Sequence, residues 1–429
     1  MKKTAEDVLR MIEEEDVEFI RLQFTDIFGR LKNIAVTPGQ MGKVFDNKYS
    51  FDGDAAFGNM YGFEEKLYLY PDIDSFIILP WRPQQGKVAK IVCDLRHMDG
   101  REFECCSRHI LKKTMDNAFA KGYTVMADPE CEFFLFHTDE NGLPTTTSHE
   151  NAGYMDVGPS DFGENARRDI VLMLEEMGFE IESSHHESAP AQHEIDFKEA
   201  GILETADSIQ TFRFAVRSIA KRFGLYATFM PKPKSDVAGS GMHTNFTLYA
   251  NGKNVFRSDD GGYSDEALFF IGGVIKHAKA LAAVSDSTVN SYKRLLSGYD
   301  PEKTALWAKQ GEGAFIKLNH DMDDTKVELR FPDGASNPYL LFAATIAAGL
   351  DGIAGKLDPG KEGTLPEKGT NLLPEDLREA LDFLEKDDVI KGALGEDFVK
   401  AYLTIKRNEW KAFMKQVSSW ELDTYLGRM

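Results

Sequence analysis

Acidic side chains on alternate positions of an apolar segment are the first feature of this chain that could do chemistry. In Asp128-Pro-Glu-Cys-Glu-Phe-Phe-Leu-Phe136, Glu130 and Glu132 stand two apart ahead of an apolar run. On a strand, residues i and i+2 share a face, so both carboxylates point the same way. Buried together they repel and lose hydration, a cost that a cation would offset; a solvated strand end is the other reading. A second cluster, Ser184-His-His-Glu-Ser-Ala-Pro-Ala-Gln-His-Glu-Ile-Asp-Phe197, sets Glu187 and Glu194 on either side of a proline turn, with His185, His186 and His193 nearby. A third, Ala238-Gly-Ser-Gly-Met-His-Thr244, runs a glycine turn into a strand and places His243 beside backbone that a ligand can approach closely. In the fourth, Lys326-Val-Glu-Leu-Arg-Phe331, Glu328 and Arg330 share a face. Arg330 could clamp a phosphate or carboxylate with two parallel hydrogen bonds, or simply pair with a strand neighbour. With the loop histidines read as satisfying backbone carbonyls, these clusters supply five glutamates and one histidine, His243. Oxygen-rich ligation suits Mg²⁺ or Mn²⁺, not a structural zinc. Several such ions in one cleft most often serve phosphates. The residues alone point to a magnesium-dependent phosphoryl-transfer enzyme.

The composition is that of a globular protein, not a disordered or fibrous one. The chain has 429 residues, 42% of them hydrophobic and 28% charged, and the formal charge is −20. That balance argues against a non-specific nucleic-acid binder, which needs a basic footprint. No secretory pattern opens the chain, and the longest apolar stretch, near residues 340–350, reads as too short for a membrane span. The four cysteines (Cys93, Cys105, Cys106, Cys131) lack zinc spacing and read as thiols of a reducing cytoplasm. The nearest approach to a phosphate loop, residues 349–357, ends on Leu357 where Ser or Thr is required.

The elements that must position these residues are legible in outline. Residues 4–16 read as a helix capped by Thr4. Residues 20–24 and 31–36 alternate with period two around a turn at 26–29, which predicts a hairpin. Further short strands, broken by Pro71, Pro80 and Pro83, are expected over 67–95. After a polar boundary at 96–108, helices at 109–121, 165–177 and 207–223 each end on a glycine (Gly122, Gly178, Gly224) and lead into strands at 123–136, 179–184 and 225–230. Helices are expected over 336–356, 375–385 and 388–421. This is an α+β chain: a small mixed-sheet domain over 1–100, then a larger domain over 103–429.

In its ordered motifs the sequence resembles glutamine synthetases of the bacterial type I class. The motifs are Phe19-Ile-Arg-Leu-Gln-Phe-Thr-Asp26, Tyr68-Leu-Tyr-Pro-Asp72, Pro129-Glu-Cys-Glu-Phe-Phe-Leu-Phe136, Ala227-Thr-Phe-Met-Pro-Lys-Pro233, Gly239-Ser-Gly-Met-His243, Asn290-Ser-Tyr-Lys-Arg-Leu295, Asn337-Pro-Tyr339 and Ala348-Gly-Leu-Asp-Gly352. The resemblance implies a β-grasp-like N-terminal domain, a large α/β catalytic domain, and two stacked hexameric rings with active sites shared between subunits. It implies ATP as a substrate, two or three Mg²⁺ or Mn²⁺ ions per site, and small-molecule partners: glutamate with ammonia or an amine, with no nucleic acid and no membrane. ATP would phosphorylate the glutamate γ-carboxylate, and ammonia would then attack the acyl phosphate. Carried over motif by motif, Glu132, Glu187 and Glu194 would hold one metal, and Glu130, His243 and Glu328 a second. Glu182, Lys317 and Lys326 would contact ATP. Arg294, Gly239, Glu132 and His243 would bind substrate, and Arg330 would face the reacting groups. Asp52 would take the ammonium proton across the subunit interface, and Asp300 would sit on the catalytic flap.

The chain departs from the family pattern at identifiable places. Asp54, Ala55 and Ala56 follow Gly53 where the family has two serines and an isoleucine. Asp300 replaces a flap glutamate, Glu312 an arginine, Lys317 and Lys326 two nucleotide arginines, and Ala238 an asparagine. The segment near residue 365 is short and lacks the tyrosine that some relatives adenylylate. The leading expectation is a glutamate–ammonia ligase. The alternatives are a γ-glutamyl ligase for an organic amine and a catalytically impaired, regulatory nucleotide-binding relative.

Overall fold

The computed structural model describes residues 2–57, 66–81, 85–296, 305–310, 313–320, 324–364 and 373–428. Two sheets organise them. The first has five strands, Val17–Thr25 (β1), Leu31–Val36 (β2), Ser50–Asp52 (β3), Lys66–Ile78 (β4) and Lys87–Arg96 (β5), in the order β2-β1-β5-β4-β3. The expected hairpin is β1–β2, with Thr25 opposite Leu31 and Ile20 opposite Val36. The helix Ala5–Glu14 begins on Thr4, whose side chain accepts from the Asp7 N–H. Asp7 reaches back to the Thr4 N–H, so two orphan donors are satisfied together. The strand expected to break at Pro71 does not break. Pro71 sits inside β4 opposite Cys93, and β3 pairs only with residues 66–68 of β4. Among the described residues no strand lies beyond them on that side, so the missing N–H costs no ladder bond there.

The second sheet positions the chemistry. Its strands are Thr124–His137 (β6), Ile181–His186 (β7), Gln192–Phe197 (β8), Ala200–Gly201 (β9), Leu225–Thr228 (β10), Met242–Ala250 (β11), Lys253–Asn254 (β12), Ala305–Ala308 (β13), Ala314–His320 (β14) and Thr325–Leu329 (β15). The main path runs β13-β14-β15-β11-β6-β8-β7. Helices Ser107–Ala120, Glu164–Glu176 and Ile202–Ala220 match the expected helices, the last starting five residues early. Gly122 and Gly178 adopt φ +91° and +88°, the left-handed geometry that ends a helix without strain. The single helix expected over 388–421 is three: Asp388–Leu394, Glu396–Phe413 and Ser419–Tyr425. Gly395 at φ +94° makes the first break, and a Ser418–Glu421 capping box starts the last piece.

Two helices, Asp265–Ser285 and Pro338–Gly355, form the core behind the large sheet. Both are long and apolar enough, by length and composition, to cross a membrane, which corrects the expectation that no stretch approaches a span. In each, 72% of the most apolar window is buried inside the fold. They pack backbone to backbone: a Cβ on Gly273 would lie 2.1 Å from the Ala348 carbonyl oxygen, and one on Gly352 would lie 2.1 Å from that of Phe269. Arg108 ties the first sheet to the rest, donating to Asp72 at 2.6 Å, Asp94 at 3.0 Å and Asp207 at 2.8 Å. All four cysteines are buried free thiols. Burial pushes Cys106 up to about 11 and Cys105 up to about 12, so neither supplies thiolate near neutral pH.

Candidate active site and metal cleft

The site is a row of side chains laid across neighbouring strands by their register. Glu130 on β6 lies opposite His243 on β11 and opposite Asp196 on β8. Glu132 lies opposite Glu194 on β8, which in turn lies opposite His185 on β7. On the other side Glu328 of β15 pairs with Asn245 of β11 and Lys317 of β14. Because every second residue shares a face, each strand contributes an alternating set. All of these but Asn245, with Tyr154, Gly239, Arg294 and Arg330, line a cleft of ≈ 620 Å³.

Two groups in the cleft are close enough to hold a cation. The ligand atoms of Glu130, His243 and Glu328 lie within 4.8 Å of one another, and so do those of His185, Glu187 and Glu194. The first group is the expected one. The second contains His185 where Glu132 was expected. Glu132 stands between the two groups: Gln192 Nε2 at 2.6 Å and the Gly241 N–H at 3.0 Å both donate to its Oε2, and its Oε1 is 4.0 Å from His243 Nε2. His243 Nδ1 is 3.4 Å from Glu130 and 3.8 Å from Glu328.

The electrostatics favour a divalent cation. Burial, reinforced by the negative charge of Glu187, pushes Glu132 up to about 7. Burial and the charge of Glu132 push Glu194 well above the ordinary carboxylate range. Burial also works against the Glu130 anion, but the hydrogen bond and charge of His243 hold it at about 2. Carboxylates packed this tightly repel unless a cation intervenes, and the donors are hard oxygens with an imidazole. The residues present therefore fit Mg²⁺ or Mn²⁺.

Around these groups, neutral amides fix the carboxylates. Asn245 Nδ2 donates to Glu130 at 3.0 Å, and Asn319 Nδ2 donates to Glu328 at 2.8 Å. Arg330 Nη1 donates to Glu328 at 2.9 Å. Behind Glu187, His186 Nδ1 contacts the Glu187 carbonyl at 2.6 Å and its Nε2 contacts Glu150 at 2.9 Å. Glu150 also accepts from the Ala191 N–H, so it clamps both ends of the loop that carries Glu187. Orienting groups of this kind typically contribute roughly 10–100-fold to metal affinity. Glu150→Gln is accordingly expected to raise the Mn²⁺ concentration for half-maximal turnover by roughly 10–100-fold, as read by metal titration at saturating substrates.

The substrate residues read from the sequence fall into three sets. Gly239 and Arg294 line the cleft. A Cβ on Gly239 would lie 2.3 Å from the Pro231 carbonyl oxygen, so only glycine fits there. Arg294 is buried, with Nη1 donating to the Phe331 carbonyl at 2.8 Å and Nη2 to that of Arg330 at 3.1 Å. Glu182 and Lys326 line an adjoining cavity of ≈ 380 Å³, which shares Glu130, Asp196 and Asn319 with the main cleft. There Lys326 Nζ pairs with Asp128 at 3.0 Å and Asp324 at 3.6 Å. Lys317 lines the main cleft. Asp52 is not brought to this cleft; it is exposed, and its Oδ1 caps the Ala55 N–H at 3.0 Å. Asp300 and Glu312 lie outside the described residues. Lys309, a candidate substitute for the family arginine at 312, pairs with Glu362 at 2.9 Å and does not line the cleft.

Sequence reasoning missed Gln192, Asn245, Asn319 and Asp196. The signal was present: Gln192 and Asp196 are two residues either side of Glu194, Asn245 is two beyond His243, and Asn319 two beyond Lys317. The strand period applied outward from each chosen residue would have found all four.

Comparison with known proteins agrees with this geometry. The family model described as glutamine synthetase, catalytic domain, matches residues 104–425, and that for the glutamine synthetase β-grasp domain matches residues 16–97. The chain belongs to the glutamine synthetase family. It is 47% identical to a glutamine synthetase of Clostridium saccharobutylicum, over 100% of this chain and 99% of that one. It is 43% identical to one from Methanosarcina mazei, again over 100% and 99%. Among solved structures, ligand-free GmaS superposes with a TM-score of 0.88 at 33% identity, covering 98% of this chain and 99% of that one. A GmaS–ADP complex gives 0.88 at 32% identity. The fold is thus that of the family: a β-grasp domain followed by a catalytic domain.

Proposed function

We propose that the chain is an ATP-dependent glutamate–ammonia ligase working through a γ-glutamyl phosphate. The observation that carries this reading is the row of carboxylates and His243 across the large sheet, open on one side to Arg294 and Arg330 and on the other to the Lys326 cavity. The family relationship supports it. We assign residues 1–100 to the β-grasp domain and 103–429 to the catalytic domain.

Glu130, His243 and Glu328 would hold one divalent ion, and Glu132, Glu187 and Glu194, with His185, another. Bound there, the ions would neutralise phosphate charge on ATP and on the acyl phosphate. Glu182, Lys317 and Lys326 hold the nucleotide. Arg294 holds the glutamate α-carboxylate, and the Gly239 backbone carbonyl accepts from its ammonium. Arg330, kept in place by Glu328, faces the γ-carboxylate and the transferring phosphoryl group. A γ-carboxylate oxygen attacks the terminal phosphorus of ATP, and ADP leaves. Ammonium gives a proton to Asp52 of a neighbouring subunit, ammonia attacks the acyl carbon, and phosphate departs. Asp300 is assigned to the flap over this step.

The position of Asp52 outside its own chain's cleft supports shared sites in stacked hexameric rings. Asp52→Asn and Glu328→Gln are each expected to be inactive alone. After dissociation and co-assembly, turnover should return, because some sites then pair an intact Asp52 with an intact Glu328. No recovery in verified mixed rings would count against sharing. The buried free thiols fit a reducing compartment, and the cytoplasm is the proposed location.

The deciding assay couples ADP release to glutamate and ammonium with Mg²⁺ or Mn²⁺. No turnover with either metal would end this reading. The second reading, a γ-glutamyl ligase for an organic amine, rests on Ala55, Asp300 and Glu312 standing where the resemblance expects a serine, a glutamate and an arginine, and the likeness to GmaS keeps it open. An amine panel separates the two: an amine that outcompetes ammonium favours the second.

A further inference from the structure

A cavity of ≈ 810 Å³, roomier than the ≈ 620 Å³ carboxylate cleft, lies elsewhere in the fold. It lies where the β1–β2 hairpin, the helix Ile202–Ala220 and the C-terminal helix Glu396–Phe413 meet. In a chain of net charge −20, its charged lining is four arginines and a lysine against one carboxylate, Glu409. That carboxylate is already matched by Lys406 at 2.8 Å.

Three of the arginines, Arg30, Arg213 and Arg217, are poorly compensated among the described residues. Arg213 is 6% exposed, and among the described residues its guanidinium donates to the Ser336 carbonyl at 2.9 Å and the Met242 sulfur at 3.6 Å. Arg217 sits 5.2 Å over the Phe229 ring, and Arg30 5.2 Å over that of Phe28. Among the described residues no carboxylate comes within ion-pair distance of Arg30, Arg213 or Arg217. Burial, with a further push from Arg217, pulls Arg213 down to about 10. Cations gathered around a cavity without counter-ions carry an unrelieved desolvation and repulsion cost. Guanidinium groups facing one space match carboxylate and phosphate oxygens in geometry as well as charge.

The cavity also abuts the glutamate end of the active cleft. Pro231 and Asn290 form part of its wall. Asn290 exchanges hydrogen bonds of 2.7 and 3.0 Å with the Lys232 backbone. It lies on the helix Val289–Leu296, which carries Arg294. The Pro231 carbonyl accepts from the Ser240 N–H at 2.8 Å, directly behind Gly239. One layer of backbone therefore separates the two spaces.

We infer that this cavity binds a small anion with at least two negative charges, a polycarboxylate or a phosphate ester, and that its occupancy alters glutamate binding through Pro231 and Asn290. Titration calorimetry on the metal-free, full-length protein, with tricarballylate and pyrophosphate as probes, separates the two chemistries. Saturable binding is expected for at least one probe. Arg30→Gln and Arg217→Gln should each weaken it by about tenfold or more, and Glu409→Gln should strengthen it. Unchanged unfolding midpoints would show that the variants are folded. Absence of binding by both probes, or binding indifferent to both arginine variants, overturns the site. In the ligase assay a saturating probe should shift the glutamate KM at least about twofold in wild type and not in Arg217→Gln. Binding without that shift overturns the coupling, and turnover without added anion shows that the ligase reading stands apart from this one.

Discussion

Glu194→Gln is expected to lower kcat/KM by roughly 10²–10³ while leaving the metal-free protein at least as stable as wild type. Glu194 is 6% exposed, faces Glu132 across the β6–β8 pair, and lies within reach of His185 and Glu187. Glutamine keeps its shape and one oxygen but removes a charge that a divalent ion needs. The same charge is a burden when no ion is present, since the buried Glu194 and Glu132 and the half-buried Glu187 then repel one another. Activity and metal-free stability should consequently move apart. Turnover with Mg²⁺ and Mn²⁺, set beside thermal unfolding in chelator, tests this. A parallel fall in both would mean that the substitution damaged the fold, not the metal set.

Arg294→Ala should produce the largest loss of stability, roughly 3–5 kcal/mol. The arginine is 4% exposed and lies 3.9 Å from Asp286. Asp286 and Asp333 are both fully buried, and burial together with their mutual repulsion raises Asp286 well above its ordinary range. Burial raises Asp333 too, and Arg294 is the cation that most opposes it. Alanine would leave two buried carboxylates without that partner and three carbonyls without their donor. Arg294→Lys separates the structural role from the substrate role. It keeps the charge but loses the planar fork, so most of the stability should remain while the glutamate KM rises roughly ten- to hundredfold. Chemical denaturation and steady-state kinetics on both variants check the two halves. A lysine variant with unchanged KM would remove Arg294 from glutamate binding.

Much of the site was legible because strand geometry is a local property. Glu130 and Glu132 two apart, and Glu328 and Arg330 two apart, share faces in the structure as their spacing requires. His243 follows its glycine turn into the cleft because Gly239 and Gly241 leave no room for a side chain; a Cβ on Gly241 would lie 2.8 Å from Arg294 and 3.1 Å from Glu132. Helix ends marked by Gly122, Gly178 and Gly224 fell where expected for the same local reason. Errors arose where neighbours decide. Pro71 was read as a break, yet a proline on an unpaired edge does no harm. The helix over 388–421 was read as continuous because periodicity does not register a backbone turn at Gly395.

The chain by itself determined the chemistry on offer: oxygen-rich ligands, glycine turns, an arginine in each substrate motif, and the family to which they belong. Only the tertiary structure decided which ligands meet. Glu132 and Glu194 are 62 positions apart in sequence, Glu130 and Glu328 nearly two hundred, and register between strands is set by long-range pairing that no local pattern encodes. That pairing put His185 beside Glu187 and Glu194, turned Glu132 toward Gln192 and Gly241, and left Asp52 outside the cleft of its own chain. It also gathered arginines from a hairpin and a distant helix around one cavity, a concentration of charge invisible in a sequence whose sum is acidic.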